Sequence, residues 1–485
     1  MFLGNITIFS VVFLYFLFLG FLGIRGYNKT KTFSDYILGG RKLGPVVGAM
    51  NVGASDMSSW LLMGLPGAFY LSGMNQMWII VGLVIGSYFS WKMVAVRLRK
   101  YTELANDSLT ISAFLENRFQ DKTGALRIVT SIMIIFFFTL YISSGFVGSA
   151  KLFTALFGIE YKTALVISVF VIIFYALIGG FLAVSWADLV QGTLMLFALL
   201  LVPIGIVYSM GGLGNVDNVI TTLSPSHFNP FHEITFIGLI STLAWGLGYF
   251  GQPHIISKYM AIKNPNEIKT ARKICISWMT LSMIGAGLTG LFGFAFFAKD
   301  PLTSYETVFI VASTKIFPAL VMGFLISAVL AAIMSTINGQ ILICSGSITE
   351  DFYKKFFRKD ASNKHLIVIT RLWVAIIALI AFLLASNENA TVLSIVSNAW
   401  SGIGASIGPI IICSLFWKKT TRTGAIWGVL SGGISSFVYS KIPSFPYELL
   451  PAFLTSLAFI VIFSLLTQKE VSSKMKEDFN QINQN

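Results

Sequence analysis

Residues Gly53-Ala54-Ser55-Asp56-Met57-Ser58-Ser59-Trp60, followed by Leu61-Leu62-Met63-Gly64-Leu65-Pro66-Gly67, set a carboxylate and several hydroxyls in the middle of the apolar stretch 45–72. A helix in lipid satisfies its own backbone, and irregular or charged stretches at membrane depth are tolerated only where they line a cavity or are buried in protein. A carboxylate at that depth is costly unless it is paired, protonated or near a cation or water. The stretch therefore predicts a helix unwound near its centre, with Asp56 at a functional position. A carboxyl that merely caps a half-helix is the plainer alternative. Opening the helix here exposes the carbonyls of Ala54 and Met57, hard oxygens that suit an alkali cation. The half-helix that follows offers N–H groups at its positive end.

The rest of the chain places this stretch in a bilayer. Of 485 residues 55% are hydrophobic and only 11% charged, with mean hydropathy +0.78, a balance that no soluble surface tolerates. A transmembrane helix needs about 20 mostly apolar residues. Thirteen stretches qualify, at roughly 2–24, 45–72, 75–95, 127–156, 162–182, 187–211, 234–253, 274–298, 317–347, 366–386, 390–416, 423–440 and 447–467. The expected class is an all-α integral membrane protein with a single membrane domain over 1–485. Met1 to Ile24 has no basic residue ahead of it and no small-residue cleavage site before Arg25, so it reads as a retained span. The loops leave no room for an inserted soluble catalytic domain.

The loops 25–44, 97–127, 254–273, 348–365, 418–422 and 468–485 hold 27 of the 34 Lys and Arg residues, and the opposite set holds only Lys162, Lys299, Lys315 and Lys441. The positive-inside rule then predicts an outside N-terminus and a cytoplasmic C-terminus, with 468–485 as a cytoplasmic tail. The net charge of +13 serves orientation and anionic lipid, and nucleic acid is not an expected partner. Cys275, Cys344 and Cys413 lie in apolar spans without metal-ligand spacing and read as packing residues.

A second interruption, Trp245-Gly246-Leu247-Gly248-Tyr249-Phe250-Gly251-Gln252-Pro253, stands five spans after the first. Paired Gly/Pro interruptions are the mark of inverted repeats that meet at a midplane site. The expected repeats are 45–211 and 234–416, with 1–24 and 423–467 as peripheral spans. The assignment rests on spacing and topology, since the two halves share no convincing residue-by-residue match. Trp245 and Tyr249 lie four apart, on one face of the interrupted span. In the ninth span Ser335 and Thr336 put adjacent hydroxyls into an apolar helix, where bonding to the preceding turn is the ordinary reading.

At these residues the chain resembles the sodium:solute symporter family, and within it the proline-transporting members. The resemblance rests on Asp35-Tyr36-Ile37-Leu38-Gly39-Gly40-Arg41, the Gly53–Gly67 run, Ile178-Gly179-Gly180-Phe181-Leu182-Ala183-Val184-Ser185-Trp186, Gly246 to His254, and Met334-Ser335-Thr336 followed by Ser347-Ile348-Thr349-Glu350-Asp351. It covers almost the full length and implies a leucine-transporter-like fold of five plus five helices with broken helices. It implies sodium as the co-transported ion, held by the carbonyls of Ala54, Met57 and Ala332 and the hydroxyls of Ser335 and Thr336. The implied substrate is L-proline, with Ser58, Trp60, Tyr141, Trp245, Tyr249 and Pro253 around it. Asp56 and Asp188 match two acidic positions that matter for coupling; a helix-start residue is the alternative for Asp188. Where proline-transporting members usually carry Gly, this chain has Ser59, whose hydroxymethyl group is expected to narrow the pocket or alter selectivity. Asn338 and Gly339 replace the hydroxyls that hold a second sodium in some relatives, which implies one sodium.

Other classes fit less well. An enzyme finds no HExxH and no clustered ligands, since the four His, at 227, 232, 254 and 365, stand apart. A transporter-like sensor would carry a signalling domain after the spans, where only 468–485 stands. A symporter for another small solute of the family is the alternative to proline. The expected setting is a bacterial cytoplasmic membrane, with the bilayer, sodium and L-proline as partners and no obligatory protein partner.

Overall fold

The computed structural model describes residues 2–178, 180–442 and 446–483. Gly179 of the Ile178–Trp186 string, residues 443–445 of the last peripheral segment and the final two residues of the tail lie outside the described residues, as does Met1.

Among the described residues the elements are helices, and Leu43 and Ile262 form an isolated bridge. In chain order the membrane helices and half-helices are α1 (Phe2–Lys29), α2 (Pro45–Asp56), α3 (Leu65–Ser72), α4 (Met77–Phe89), α5 (Ala125–Phe157), α6 (Tyr161–Ile178), α7 (Phe181–Ser209) and α8 (Phe236–Leu243). They continue as α9 (Pro253–Ala261), α10 (Ile268–Phe296), α11 (Ala319–Ser347), α12 (Asn363–Leu384), α13 (Val392–Phe416), α14 (Arg422–Tyr439) and α15 (Leu449–Leu466).

Nine helices among the described residues are long and apolar enough to cross a membrane, against the thirteen spans expected. The other four expected spans are helical but broken, short or glycine-rich. Stretches 45–72 and 234–253 divide into α2 and α3 and into α8 and its neighbours, 162–182 gives α6, and 423–440 gives the glycine-rich α14.

Both breaks follow from local chemistry. Pro45 starts α2 at a position where its missing N–H is harmless. At Met57 the backbone leaves the helical region, with φ −88° and ψ 81°. Ser58 N–H bonds Asp56 O at 3.1 Å and Leu61 N–H bonds Ser58 O at 3.1 Å, which interrupts the regular pairing of the Ala54 and Met57 carbonyls. A wide π-type turn over Trp60–Gly64 then leads into α3, just ahead of Pro66, which has no N–H to give back to the preceding turn. In the second break, α8 tightens into a 3-10 segment, Ala244–Phe250, and Gln252 is extended before Pro253 opens α9.

Glycines let the second break lie against its neighbours. A Cβ on Gly86 of α4 would stand 2.1 Å from Gly246 O, and one on Gly251 would stand 2.5 Å from Gly408 N of α13. Small residues at such crossings let backbones approach closely, which favours helix packing in lipid.

The centre of the molecule is α11, buried on every side from Leu325 to Leu342 and packed against α1, α2, α5, α7, α9 and α12. By contrast α1 exposes Phe9, Phe13, Leu14, Leu17 and Phe21. At one end, where α11 runs on into the helical turn Ile348–Phe357, buried Asp351 accepts from Arg127 at 2.7 Å, Ser131 at 2.7 Å and Thr110 at 2.9 Å. Arg127 also donates to Glu116 at 2.9 Å. Arg41, Arg99 and Arg118, counted above as juxtamembrane charges, are buried and donate to the carbonyls of Met260, Ile262 and Ser414.

Candidate functional site

The predicted cation ligands come from two elements that the first break brings together. Ser335, midway along α11, donates to Ala54 O at 2.8 Å and to Ala332 O at 3.0 Å. Ala54 is free to accept from across the interface because unwinding turned Ser58 N–H towards Asp56 O. Met57 is the first residue off the helix and is fully buried. The hydroxyl of Thr336 is buried and has no hydrogen-bond partner among the described residues. Thr336 therefore departs from the ordinary habit of a helical Ser or Thr, which is to bond the preceding turn. The donor set is carbonyl and hydroxyl oxygen without thiolate or imidazole, the chemistry of a hard cation.

Asp56 joins the two broken helices. One carboxyl oxygen accepts from the Tyr249 hydroxyl in the 3-10 segment of the second break, and the other has no partner among the described residues. Its backbone carbonyl accepts from the Trp60 indole at 3.1 Å. Asp56 thus reaches across to another element, which a helix cap alone does not.

Of the predicted substrate residues, Trp60 and Tyr249 bond Asp56 directly. Ser58 lies in the break and Trp60 in the turn after it. Tyr141 of α5 is buried with its hydroxyl beside Ser58. The Tyr249 ring lies edge-on to Trp400 at 5.2 Å. Trp245 is covered: its ring stacks on Tyr447 at 4.6 Å with 13° between planes, and its carbonyl accepts from Trp400 at 2.9 Å. Pro253 is the buried first residue of α9. Beside it His254 packs edge-on against Phe138 at 5.2 Å and Tyr141 at 6.1 Å.

Ser59 lies against α5. A Cβ built on Gly148 of α5 would stand 2.7 Å from Ser59 Cβ and 3.0 Å from its hydroxyl. The extra hydroxymethyl group thus faces the bare backbone of α5.

Asp188 lies two turns inside α7, so it is not a helix-start residue. Its partners are Ser55, which donates at 2.9 Å, and Lys258 at 3.4 Å. Lys258 was counted among cytoplasmic loop charges because the seventh span was ended at residue 253. In the structure it is 2% exposed, within α9. His254, Ser257 and Lys258, three and four apart in an apolar run, are the sequence signal that this turn faces a polar interior. Tyr447 and Trp400 were missed as well.

Comparison with known proteins agrees with this architecture. The model of the sodium:solute symporter family matches residues 36–432. The high-affinity proline transporter PutP of Bacillus subtilis is 47% identical over 95% of this chain and 98% of its own length. The sodium/proline symporter of Escherichia coli is 44% identical over 94% of this chain and 92% of its own. Among solved structures, a Na+-coupled sialic acid symporter in a substrate-bound outward-open state superposes with TM-score 0.80 at 17% identity, over 96% of this chain and 98% of that one. MhsT in complex with L-phenylalanine superposes with TM-score 0.57 at 15% identity, over 88% and 98%. The fold is the leucine-transporter-like one with broken helices, in a multi-pass membrane protein. The chain belongs to the sodium:solute symporter family.

Proposed function

We propose that this chain couples inward sodium movement to uptake of L-proline by alternating access. The observation that carries the reading is the Ser335 hydroxyl on the carbonyls of Ala54 and Ala332, three hard oxygens gathered where the first helix unwinds. In this reading Na+ is held by the carbonyls of Ala54, Met57 and Ala332 and the hydroxyls of Ser335 and Thr336. The names of the relatives at 44–47% identity support proline as the solute. Trp60, Tyr141, Tyr249 and Pro253, with the face of Trp245 turned away from Tyr447, enclose the pyrrolidine ring, while polar groups, Ser58 among them, hold its charged ends. Such a mixture suits a compact zwitterion. Asp56 tunes the cation position through its bond to Tyr249.

The same reading takes 45–211 and 234–416 as inverted repeats that meet at the two breaks. It sets the N-terminus outside and the C-terminus inside, in a bacterial cytoplasmic membrane. The Lys and Arg asymmetry supports this orientation and survives removal of the buried Lys258 from the count. Labelling of a cysteine placed in 212–233 by an impermeant maleimide from outside tests it.

The central experiment is radiolabelled proline uptake into proteoliposomes with the sodium gradient imposed inward, reversed or absent. Accumulation with current under the inward gradient alone is expected; equal uptake in choline and sodium sinks the reading.

A further inference from the structure

Lys258 is a cation buried beside the proposed sodium position, and the transport reading so far gives it no role. Its ammonium donates to Asn51 O at 2.8 Å and to the Ser55 hydroxyl, and lies 3.4 Å from an Asp188 carboxylate oxygen. Ser55 in turn donates to the same Asp188 oxygen at 2.9 Å and lies 3.4 Å from Ser335 O. A carbonyl, a hydroxyl and a carboxylate around one positive charge form the same kind of hard-oxygen set that holds an alkali ion. This set sits one residue along α2 from Ala54, and one turn along α11 from Ser335. There Gly339 makes the room: a Cβ on it would stand 3.3 Å from the Ser55 hydroxyl and 3.7 Å from the ammonium. Asp188 is fully buried, and a buried carboxylate without a counter-charge is strongly unfavourable.

From this geometry we infer that Lys258 is a tethered cation: its ammonium fills a second cation position, formed by Asp188, Ser55 and the Asn51 carbonyl, and keeps sodium out of it. A charge fixed to the chain is not released to the cytoplasm with each cycle, so it holds the broken helix in place without adding to the ions transported. Gly339, which leaves room for the ammonium, and Lys258, which fills it, are then two halves of one arrangement. The inference rests on the sodium-symport reading above.

The test counts sodium. Equilibrium binding of radioactive sodium to the purified full chain, with proline present, is expected to give one ion per wild-type chain. Lys258→Ala vacates the oxygen set while leaving Asp188, so it is expected to bind two ions and to raise the Hill coefficient for sodium in proline uptake from one towards two. Lys258→Arg keeps the charge and is expected to bind one. The paired variant Lys258→Ala, Asp188→Asn removes the demand for a counter-charge and is expected to return the count to one. All variants are purified in sodium. A Lys258→Ala protein that binds one ion overturns the inference, and so does one that cannot be purified even in sodium, since an ion in the position should replace the ammonium. Two ions on the wild type overturn it as well. A wild type that binds no sodium and takes up proline without a sodium gradient instead sinks the symport reading itself.

Discussion

The hydroxyl of Tyr249 donates to the carboxyl of Asp56, so that the middle of the second broken helix is fastened to the last residue of the first half-helix. Tyr249→Phe removes one oxygen and leaves a buried carboxyl without its partner, a change that costs about 1–3 kcal/mol. Because the bond spans the cation side and the substrate side, apparent affinities for sodium and for proline should fall together. Uptake measured over matched sodium and proline series checks this, and a loss confined to proline would separate Asp56 from the cation position.

Ser335→Ala and Thr336→Ala each remove one hard oxygen from the proposed sodium position. Sodium dependence should weaken in both, while proline affinity at saturating sodium changes far less. Thr336→Ala breaks no hydrogen bond among the described residues, so its effect on protein stability should be the smaller. Unchanged sodium dependence in both variants would take these residues out of the site.

Ser59 and Gly148 should behave as a coupled pair. With a Cβ at residue 148 the Ser59 side chain is too close, at 2.7 Å, and overpacking of this kind costs about 1–3 kcal/mol. Gly148→Ala should therefore lower the melting temperature in detergent, and Ser59→Gly should restore most of it. Touching residues couple by about 0.5–3 kcal/mol; strictly additive effects would show that the two do not press on each other. Ser59→Gly alone should leave proline selectivity near that of the wild type, since the side chain faces α5.

Competition assays address the solute. If aromatic faces enclose a pyrrolidine ring, alanine and glycine should compete more weakly than proline, by about 0.8 kcal/mol for each missing buried CH₂. Prolinamide and pyrrolidine each lack a charge and should be rejected more strongly, because they leave polar groups of a desolvated site unpaired. A protein that ignores proline while transporting another solute with sodium would refute proline and leave the symporter.

At the end of the bundle, Arg127→Met strips buried Asp351 of its counter-charge, while Glu116 keeps Lys355. Losing one partner of such a group costs about 3–5 kcal/mol, whereas Thr110→Ala removes a neutral hydrogen bond worth about 1 kcal/mol. Thermal unfolding in detergent should rank the two in that order. Equal melting temperatures would mean that the cluster is solvated.

The breaks were legible because they depend on residues close in sequence: Pro66 and Pro253 lack an N–H, and a carboxylate in an apolar stretch is conspicuous. Ser335 and Thr336 needed the family resemblance, since a helical hydroxyl alone says little about what crosses to it. Lys258 escaped because a charge at the end of an apolar run, taken alone, looks the same whether it snorkels to the interface or turns inward; its spacing from His254 and Ser257 hints at the inward direction, and the placement of Asp188 and Asn51 on other helices decides it. Ser59 was read by its neighbours in the chain, yet its direction is set by Gly148 on α5. The stacking of Trp245 on Tyr447 joins residues too far apart in sequence for any local periodicity to record.

The contrast between α11 and α1 bears on how the chain evolves. A helix with protein on every side has no face on which residues are exchangeable, so from Leu325 to Leu342 drift should be slow and changes should arrive in compensated pairs. In a bilayer the exposed outer face of α1 borders acyl chains, which distinguish poorly between one large apolar residue and another, and there Phe, Leu and Ile should turn over freely while transport is untouched.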